Sequence, residues 1–247
     1  MSTAYQIFKY TIFRPLVKFG FKARVEGLEN VPRDGGVILA SNHIAAMDSI
    51  VVPAMVSRPM TFPAKAELFS GNNVGTKIVA WFLKVIKMVP MDRSGGRASA
   101  DALQSISDVL AEGRVVGIYP EGTRSPDGRL YKGKTGIARI ALINGVPILP
   151  VGIVGTERVN GPFGIPWVRR PVVAIGQPLS FPQYHGQTNT KVLRYVTEEV
   201  MASIQRLTGQ TYVDVYATRV KHGDLKDGGS DAFIRPRPGD GQAPEPK

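Results

Sequence analysis

The chain has no cysteine among its 247 residues. This excludes disulfides, thiolate nucleophiles and cysteine-ligated metals together. Histidine is scarce: His43, His185 and His222 are the only three. An imidazole-rich zinc site would have to assemble from distant segments, so no metal is expected. There is no run of about 18 uncharged apolar residues, which argues against a membrane-crossing helix. No Gly-x-Ser-x-Gly element occurs, so the nucleophile elbow of serine esterases is missing.

What is present points elsewhere. Apolar residues make up 43% of the chain, enough to bury a sizeable core in one domain. The net charge of +11 favours an anionic partner, whether nucleic acid, an anionic membrane or a phosphorylated metabolite. From Tyr5 to Phe19, Ile7, Phe8, Tyr10, Ile12, Phe13, Leu16 and Val17 are interrupted by Lys9, Arg14 and Lys18. Aromatics mixed with cations suit a helix lying in a bilayer interface; packing on the protein's own core is the competing account. Residues 1–23 are therefore read as an amphipathic, membrane-associated helical segment and 24–220 as the folded domain. Residues 221–247, rich in Gly, Pro, Asp and Lys, are read as a disordered tail.

Apolar runs at 37–40, 115–119, 148–154 and 172–175 read as strands, with a weaker one at 60–64. Segments 78–86, 98–111 and 135–143 read as helices, and Val192, Val196, Val200 and Ile204 mark a last one. Segment 211–220 fits either state. Strands alternating with helices predict an α/β domain with a largely parallel or mixed central sheet flanked by helices.

Three polar segments follow predicted strands, where an open parallel sheet binds ligands. The first is Ser41-Asn42-His43-Ile44-Ala45-Ala46-Met47-Asp48. On a regular helix His43 and Asp48 would stand about 140° apart. They meet only if His43 sits in the turn before the helix and its ring folds back. A carboxylate on one imidazole nitrogen fixes the tautomer and leaves the other as a base; a surface His with an Asp capping the next helix is the plainer account. The second is Tyr119-Pro120-Glu121-Gly122-Thr123-Arg124-Ser125. It offers a carboxylate, hydroxyls, backbone amides and a guanidinium fork for a phosphate, or it is simply a turn. The third holds Lys65, either a pocket cation or an exposed lysine. Arg93, in Pro90-Met91-Asp92-Arg93-Ser94-Gly95-Gly96, is a further phosphate contact or a loop residue. Residues 128–135 match Gly-x4-Gly-Lys-Thr, yet they do not directly follow a strand and no apolar strand ends in an Asp for magnesium. Lys132 and Lys134 remain candidates for phosphate binding at the start of the next helix.

Taken together, the blocks resemble the glycerolipid acyltransferases of the 1-acyl-sn-glycerol-3-phosphate acyltransferase (PlsC) type. Asn42-His43-x4-Asp48, Pro90-Met91-Asp92-Arg93, Tyr119-Pro120-Glu121-Gly122-Thr123-Arg124-Ser125 and Val146-Pro147-Ile148-Leu149-Pro150-Val151 stand in family order. Tyr119 replaces the commoner Phe. The resemblance implies that His43, oriented by Asp48, is the general base for an acceptor hydroxyl that attacks an acyl thioester. It implies that Arg93, Glu121, Gly122, Thr123 and Arg124 hold the glycerol-phosphate end, with Asn42, Lys65, Lys132 and Lys134 as additional candidates. A backbone amide near Lys65 is a candidate oxyanion donor. No covalent acyl-enzyme, metal or cofactor is expected beyond the co-substrate, acyl-CoA or acyl-carrier protein. The expected reaction converts lysophosphatidic acid to phosphatidic acid; glycerol 3-phosphate or another lysolipid is the alternative acceptor. The enzyme is expected at the cytoplasmic face of a membrane as a peripheral or monotopic protein, where each well-placed basic residue adds about 1 kcal/mol on an anionic leaflet. A P-loop nucleotide hydrolase and a basic membrane- or nucleic-acid-binding module are the rivals. The four ordered blocks count against both, and no nucleic-acid partner is expected.

Overall fold

The layering of the molecule follows from one apolar strand, Val37–Ser41, in which all five residues are buried. Ile38 and Ala40 enter one apolar cluster, while Val37 and Leu39 enter a second on the opposite face. A period-two element covered on both sides divides its side chains in this way. The computed structural model describes residues 3–65, 69–70, 73, 76–77, 80, 88–91, 97–157, 159–160, 166–168 and 170–246. The expected helix at 78–86, apart from the helical and buried Ala80, and Arg93 lie outside the described residues.

In chain order the strands are β1 (Arg24–Glu26), β2 (Val37–Ser41), β3 (Met60–Thr61), β4 (Pro63–Lys65), β5 (Val89–Met91), β6 (Val115–Ile118), β7 (Leu130–Tyr131), β8 (Ile148–Val154), β9 (Val159–Asn160), β10 (Pro166–Trp167), β11 (Val172–Ile175), β12 (Tyr212–Val213) and β13 (Ile234–Arg235). The helices are α1 (Thr3–Phe8), α2 (Asp48–Met55), α3 (Arg97–Ala111), α4 (Gly136–Asn144), α5 (Thr190–Thr208) and α6 (Ala217–His222). The main sheet has the order β1-β11-β8-β2-β6-β3. Every neighbouring pair is parallel except β11 with β8, so this is the mixed α/β sheet expected. The 60–64 run divides: β3 joins the main sheet and β4 pairs with β5. Pro63 offers no N–H to a central ladder, which favours the break there.

Residues of α3, α4 and α5 cover one face, among them Ile106, Ile137 and Val196. Val17, Val51 and Val52 cover the other. α5 is the longest helix among the described residues. The Asn189 side chain accepts the Val192 N–H at 2.9 Å to start it, and Gly209, at φ 68°, ends it.

The N-terminal helix continues past α1 through wide π-type turns at Lys9–Phe13 and Leu16–Gly20. Pro15 lies between them; lacking an N–H, it cannot close the ordinary helical bond. Ile7, Tyr10, Ile12, Leu16 and Phe19 are exposed along this segment, whereas Tyr5 and Val17 are buried. Lys9, expected among the outward cations, is only 4% exposed. Its ammonium donates to Val56 O at 2.6 Å and reaches Ser57 O and Arg58 O at 3.4 Å. Carbonyls left unpaired where a helix ends attract a cation, and α2 ends there. Burial, with Arg14 nearby, pushes the Lys9 ammonium down to about 8. Among the described residues no helix is long and apolar enough to cross a membrane.

The expectation of a disordered tail from residue 221 is corrected by the fold. β12 pairs in parallel with β7 and antiparallel with β13. Arg237 bonds Glu199 at 2.6 Å, and the Tyr184 hydroxyl donates to Pro244 O at 2.5 Å. The composition misleads because most of these anchors are polar pairs and a borrowed strand edge, with apolar packing confined to a few residues such as Leu225 and Phe233. Segment 211–220, left open by the sequence, holds β12 and α6.

Candidate active site

β2 and β6 are parallel neighbours in register, Val37 opposite Val115. Their carboxyl ends therefore open on the same edge of the sheet, one delivering Asn42 and His43, the other Tyr119 to Arg124. His43 does sit in the turn before α2, and its ring folds back: Nδ1 lies 2.8 Å from Asp48 Oδ2. The same oxygen accepts the N–H groups of Ile44 at 2.7 Å and Ala45 at 2.9 Å. Asp48 is fully buried, so three bonds fix its carboxylate in place. With the Nδ1 proton directed at Asp48, Nε2 carries the lone pair, and it has no partner among the described residues.

The imidazole is held from its face as well. The Tyr119 ring stacks on it with centroids 3.9 Å apart and 14° between planes. Phe62 stacks on Tyr119 in turn, with centroids 5.7 Å apart. Gly117 permits this, because a Cβ there would run into the Phe62 ring. The Tyr119 hydroxyl pairs with Ser49 Oγ at 3.2 Å, and burial pushes its phenol far above the ordinary value.

Glu121 ties the two segments together. Its Oε1 accepts the His43 N–H at 3.1 Å and its Oε2 the Tyr131 N–H at 3.0 Å. Burial pushes the Glu121 carboxyl up to about 8, against the pull of those two donors. Ser125 N–H returns to His43 O at 2.6 Å. Gly122 adopts φ +73°, and the Lys134 side chain lies against it so closely that a Cβ there would sit 3.1 Å from Nζ. Arg124 is exposed beside it.

Some expected site residues are otherwise engaged. The Asn42 amide gives Nδ2 to Ile153 O and takes the Ile153 N–H, both at 2.8 Å, and also meets Gln210 Oε1 at 3.0 Å. Lys132 turns away to Asp214 at 2.9 Å. The backbone of Lys65 is in β4, but its side chain and the candidate oxyanion amide beside it lie outside the described residues. The 128–135 stretch is not a phosphate-cradling loop. Its middle is β7, and the N–H groups of Leu130, Tyr131, Lys132 and Lys134 go to Thr211 O, Glu121 Oε2, Val215 O and Pro120 O. Among the described residues no three His, Asp or Glu cluster to hold a metal ion.

Two features escaped the sequence. Lys221 of α6 donates to Thr123 Oγ1 at 3.2 Å and to Arg124 O; the basic run Arg219, Lys221 and His222 was its only trace. A small apolar cleft of about 60 Å³, lined by Tyr5, Phe13, Ile50, Pro53 and Phe62 among others, lies between α2 and the N-terminal helix. Ser49 and Phe62 line it, and both touch Tyr119, which also stacks on His43.

Residues 22–154 match the family model described as Acyltransferase. The chain belongs to the acyltransferase family. A 1-acyl-sn-glycerol-3-phosphate acyltransferase of Borreliella burgdorferi is 35% identical over 138 residues, 56% of this chain and 53% of that protein. A chloroplastic 1-acyl-sn-glycerol-3-phosphate acyltransferase of Arabidopsis thaliana is 32% identical over 140 residues, 56% of this chain and 38% of its own. The chain thus spans about half or less of these two relatives. One from Bacillus subtilis is 29% identical over 74% of this chain and 87% of that protein. The crystal structure of the 1-acyl-sn-glycerophosphate acyltransferase PlsC from Thermotoga maritima superposes with a TM-score of 0.58, at 26% identity and 84% coverage of both chains. The acyltransferase match ends at residue 154, so the segment carrying Lys221 lies beyond it.

Proposed function

We propose that this acyltransferase moves a fatty acyl group from acyl-CoA or acyl-carrier protein to the free hydroxyl of lysophosphatidic acid, giving phosphatidic acid. One observation carries the reading: an imidazole locked through Nδ1 to a buried carboxylate, with its other nitrogen free, between a cationic loop and an apolar cleft. The acceptor hydroxyl gives its proton to His43 Nε2 as its oxygen attacks the thioester carbonyl carbon. The C–S bond then breaks, and the imidazolium returns the proton to the departing thiolate. A thioester is already activated, so base catalysis and positioning carry most of the burden. Thr123, Arg124 and Lys134 suit the phosphate end, and the proposal extends to Arg93. Asp48 acts by fixing the His43 tautomer, and Glu121 by tying His43 to the phosphate-side loop. The apolar lining of the cleft near Tyr119 suits contact with part of the acyl chain. The exposed Ile7, Tyr10, Ile12 and Phe19 beside basic Lys18 suit a peripheral stance on an anionic membrane surface.

The test is acyl transfer from palmitoyl-CoA to lysophosphatidic acid in detergent. His43→Ala should lower turnover by about 10²- to 10⁴-fold without loss of fold. Equal rates in both proteins overturn the His43 mechanism. Wild-type activity on glycerol 3-phosphate but not on the lysolipid reassigns the acceptor.

A further inference from the structure

We propose that Lys221 is a phosphate-binding residue of the site, contributed from outside the matched acyltransferase region. The proposal rests on the acyl-transfer reading above and adds a residue to its anion pocket.

The route of the chain brings Lys221 there. β12 lies against β7, with Leu130 N–H on Thr211 O at 3.0 Å and Lys132 N–H on Val215 O at 3.1 Å. β7 closes the loop that begins at Glu121, so this pairing sets the C-terminal segment beside that loop. Tyr131, Val213, Val215 and Ala217 form a small buried cluster that fixes the start of α6. Arg129 adds bonds to Ser230 at 2.8 Å and Asp231 at 2.6 Å on the other flank. α6 then directs Lys221 back onto Thr123 and the Arg124 carbonyl.

The charge around this point is unbalanced. Arg124, Lys134 and Lys221 all border the Gly122–Thr123 turn, and none has a carboxylate within ion-pair distance among the described residues. The nearest acid, Glu121, is buried and spends both oxygens on backbone N–H groups. Three cations gathered without counter-charge attract an anion. An ammonium has three donors. Two of those of Lys221 are held by Thr123 and Arg124, which orients the third. A phosphate seated at the turn would meet the Lys221 ammonium, the Arg124 guanidinium and the Lys134 ammonium together, as charge-assisted bonds.

The experiment compares wild type, Lys221→Met and Lys221→Arg. With lysophosphatidic acid as acceptor, Lys221→Met should raise KM about tenfold or more while kcat changes little, and Lys221→Arg should recover most of the affinity. With a monoacylglycerol, which lacks the phosphate, wild type and Lys221→Met should match. An equal deficit on both acceptors, or a fall in kcat at constant KM, means that Lys221 only props the loop and overturns the proposal. A ³¹P NMR titration with sn-glycerol 3-phosphate reads binding without turnover. A wild-type shift that Lys221→Met weakens upholds the anion site even if lysophosphatidic acid is not turned over, so failure of the acyl-transfer reading is told apart from failure of this one. No difference between the two proteins in that titration also overturns it.

Discussion

Residues 3–20 meet the domain through an apolar inner face and one buried cation, Lys9. Residues 211–246 meet it through a short strand, a small apolar cluster and directed polar pairs: Lys132 with Asp214, Arg129 with Asp231, Lys221 with Thr123 and Arg237 with Glu199. The first mode is non-directional, since apolar burial depends on area. The second fixes distance and angle, since hydrogen bonds weaken steeply when bent. In the acyl-transfer reading proposed above, each suits the part of the site it borders. A flexible hydrocarbon chain asks only for an apolar wall, which the N-terminal segment gives the cleft. A phosphate asks for donors held at set points, which the C-terminal segment gives the loop after β6.

The sharpest break in this contrast should come at Glu121, which joins the His43 backbone to the strand that the C-terminal segment supports. Glu121→Ala leaves the His43 and Tyr131 N–H groups without their acceptor and should cost about 2–4 kcal/mol in urea unfolding, with activity falling too. The pH dependence carries a second signature. The folded-state value of about 8 lies above the ordinary 4.5, so the native state holds this proton more tightly than the unfolded chain. Stability from this group is fullest below about pH 4.5 and falls through pH 8, at up to about 1.4 kcal/mol per pH unit. Glu121→Gln should flatten that decline; an unchanged slope assigns it to another group.

A middling effect is expected at Lys9. Lys9→Met removes the cation from the Val56 carbonyl and should cost about 1–2 kcal/mol. Hydrogen exchange should rise across residues 3–20 while the β2 and β6 amides stay protected. Faster exchange in β2 as well means that the N-terminal segment is not a separable wall. The smallest effect on stability belongs to the double change Ile7→Ser and Phe19→Ser. These side chains are 55% and 70% exposed, so unfolding should move by less than about 0.5 kcal/mol. Sedimentation with vesicles containing phosphatidylglycerol should nevertheless drop several-fold. Unchanged sedimentation rejects the membrane stance for this face.

What the sequence made legible follows from how local each signal is. The strands β2, β6, β8 and β11 and the helices α3 and α5 announce themselves by apolar runs and periodicity, because each buries its apolar side chains at the period of its own backbone. The His43–Asp48 pairing was readable only as a condition. The fold meets that condition with Asp48 Oδ2 drawing in the N–H groups of Ile44 and Ala45, which bends the turn and brings the ring round. Lys221 reaches a loop about a hundred residues earlier, and no window of local pattern contains both ends. Lys9 and Asn42 share a feature that no local pattern shows: the partner of each is a distant backbone group, Val56 for one and Ile153 for the other.

The bond pair between Asn42 and Ile153 has a consequence for what the third letter of change at this position could be. An asparagine side chain ends in an amide, a donor nitrogen and an acceptor oxygen side by side, as in a peptide group. Past the last residue of β2 the chain must turn away, yet the two 2.8 Å bonds to β8 continue as if the strand had one more rung. Aspartate would set an acceptor oxygen against the Ile153 carbonyl, leucine would offer neither bond, and glutamine would overshoot by a methylene. The residue beside the imidazole is thus dictated by the architecture of the sheet, and His43 inherits the stiffness of a ladder that borrows a side chain for its final step.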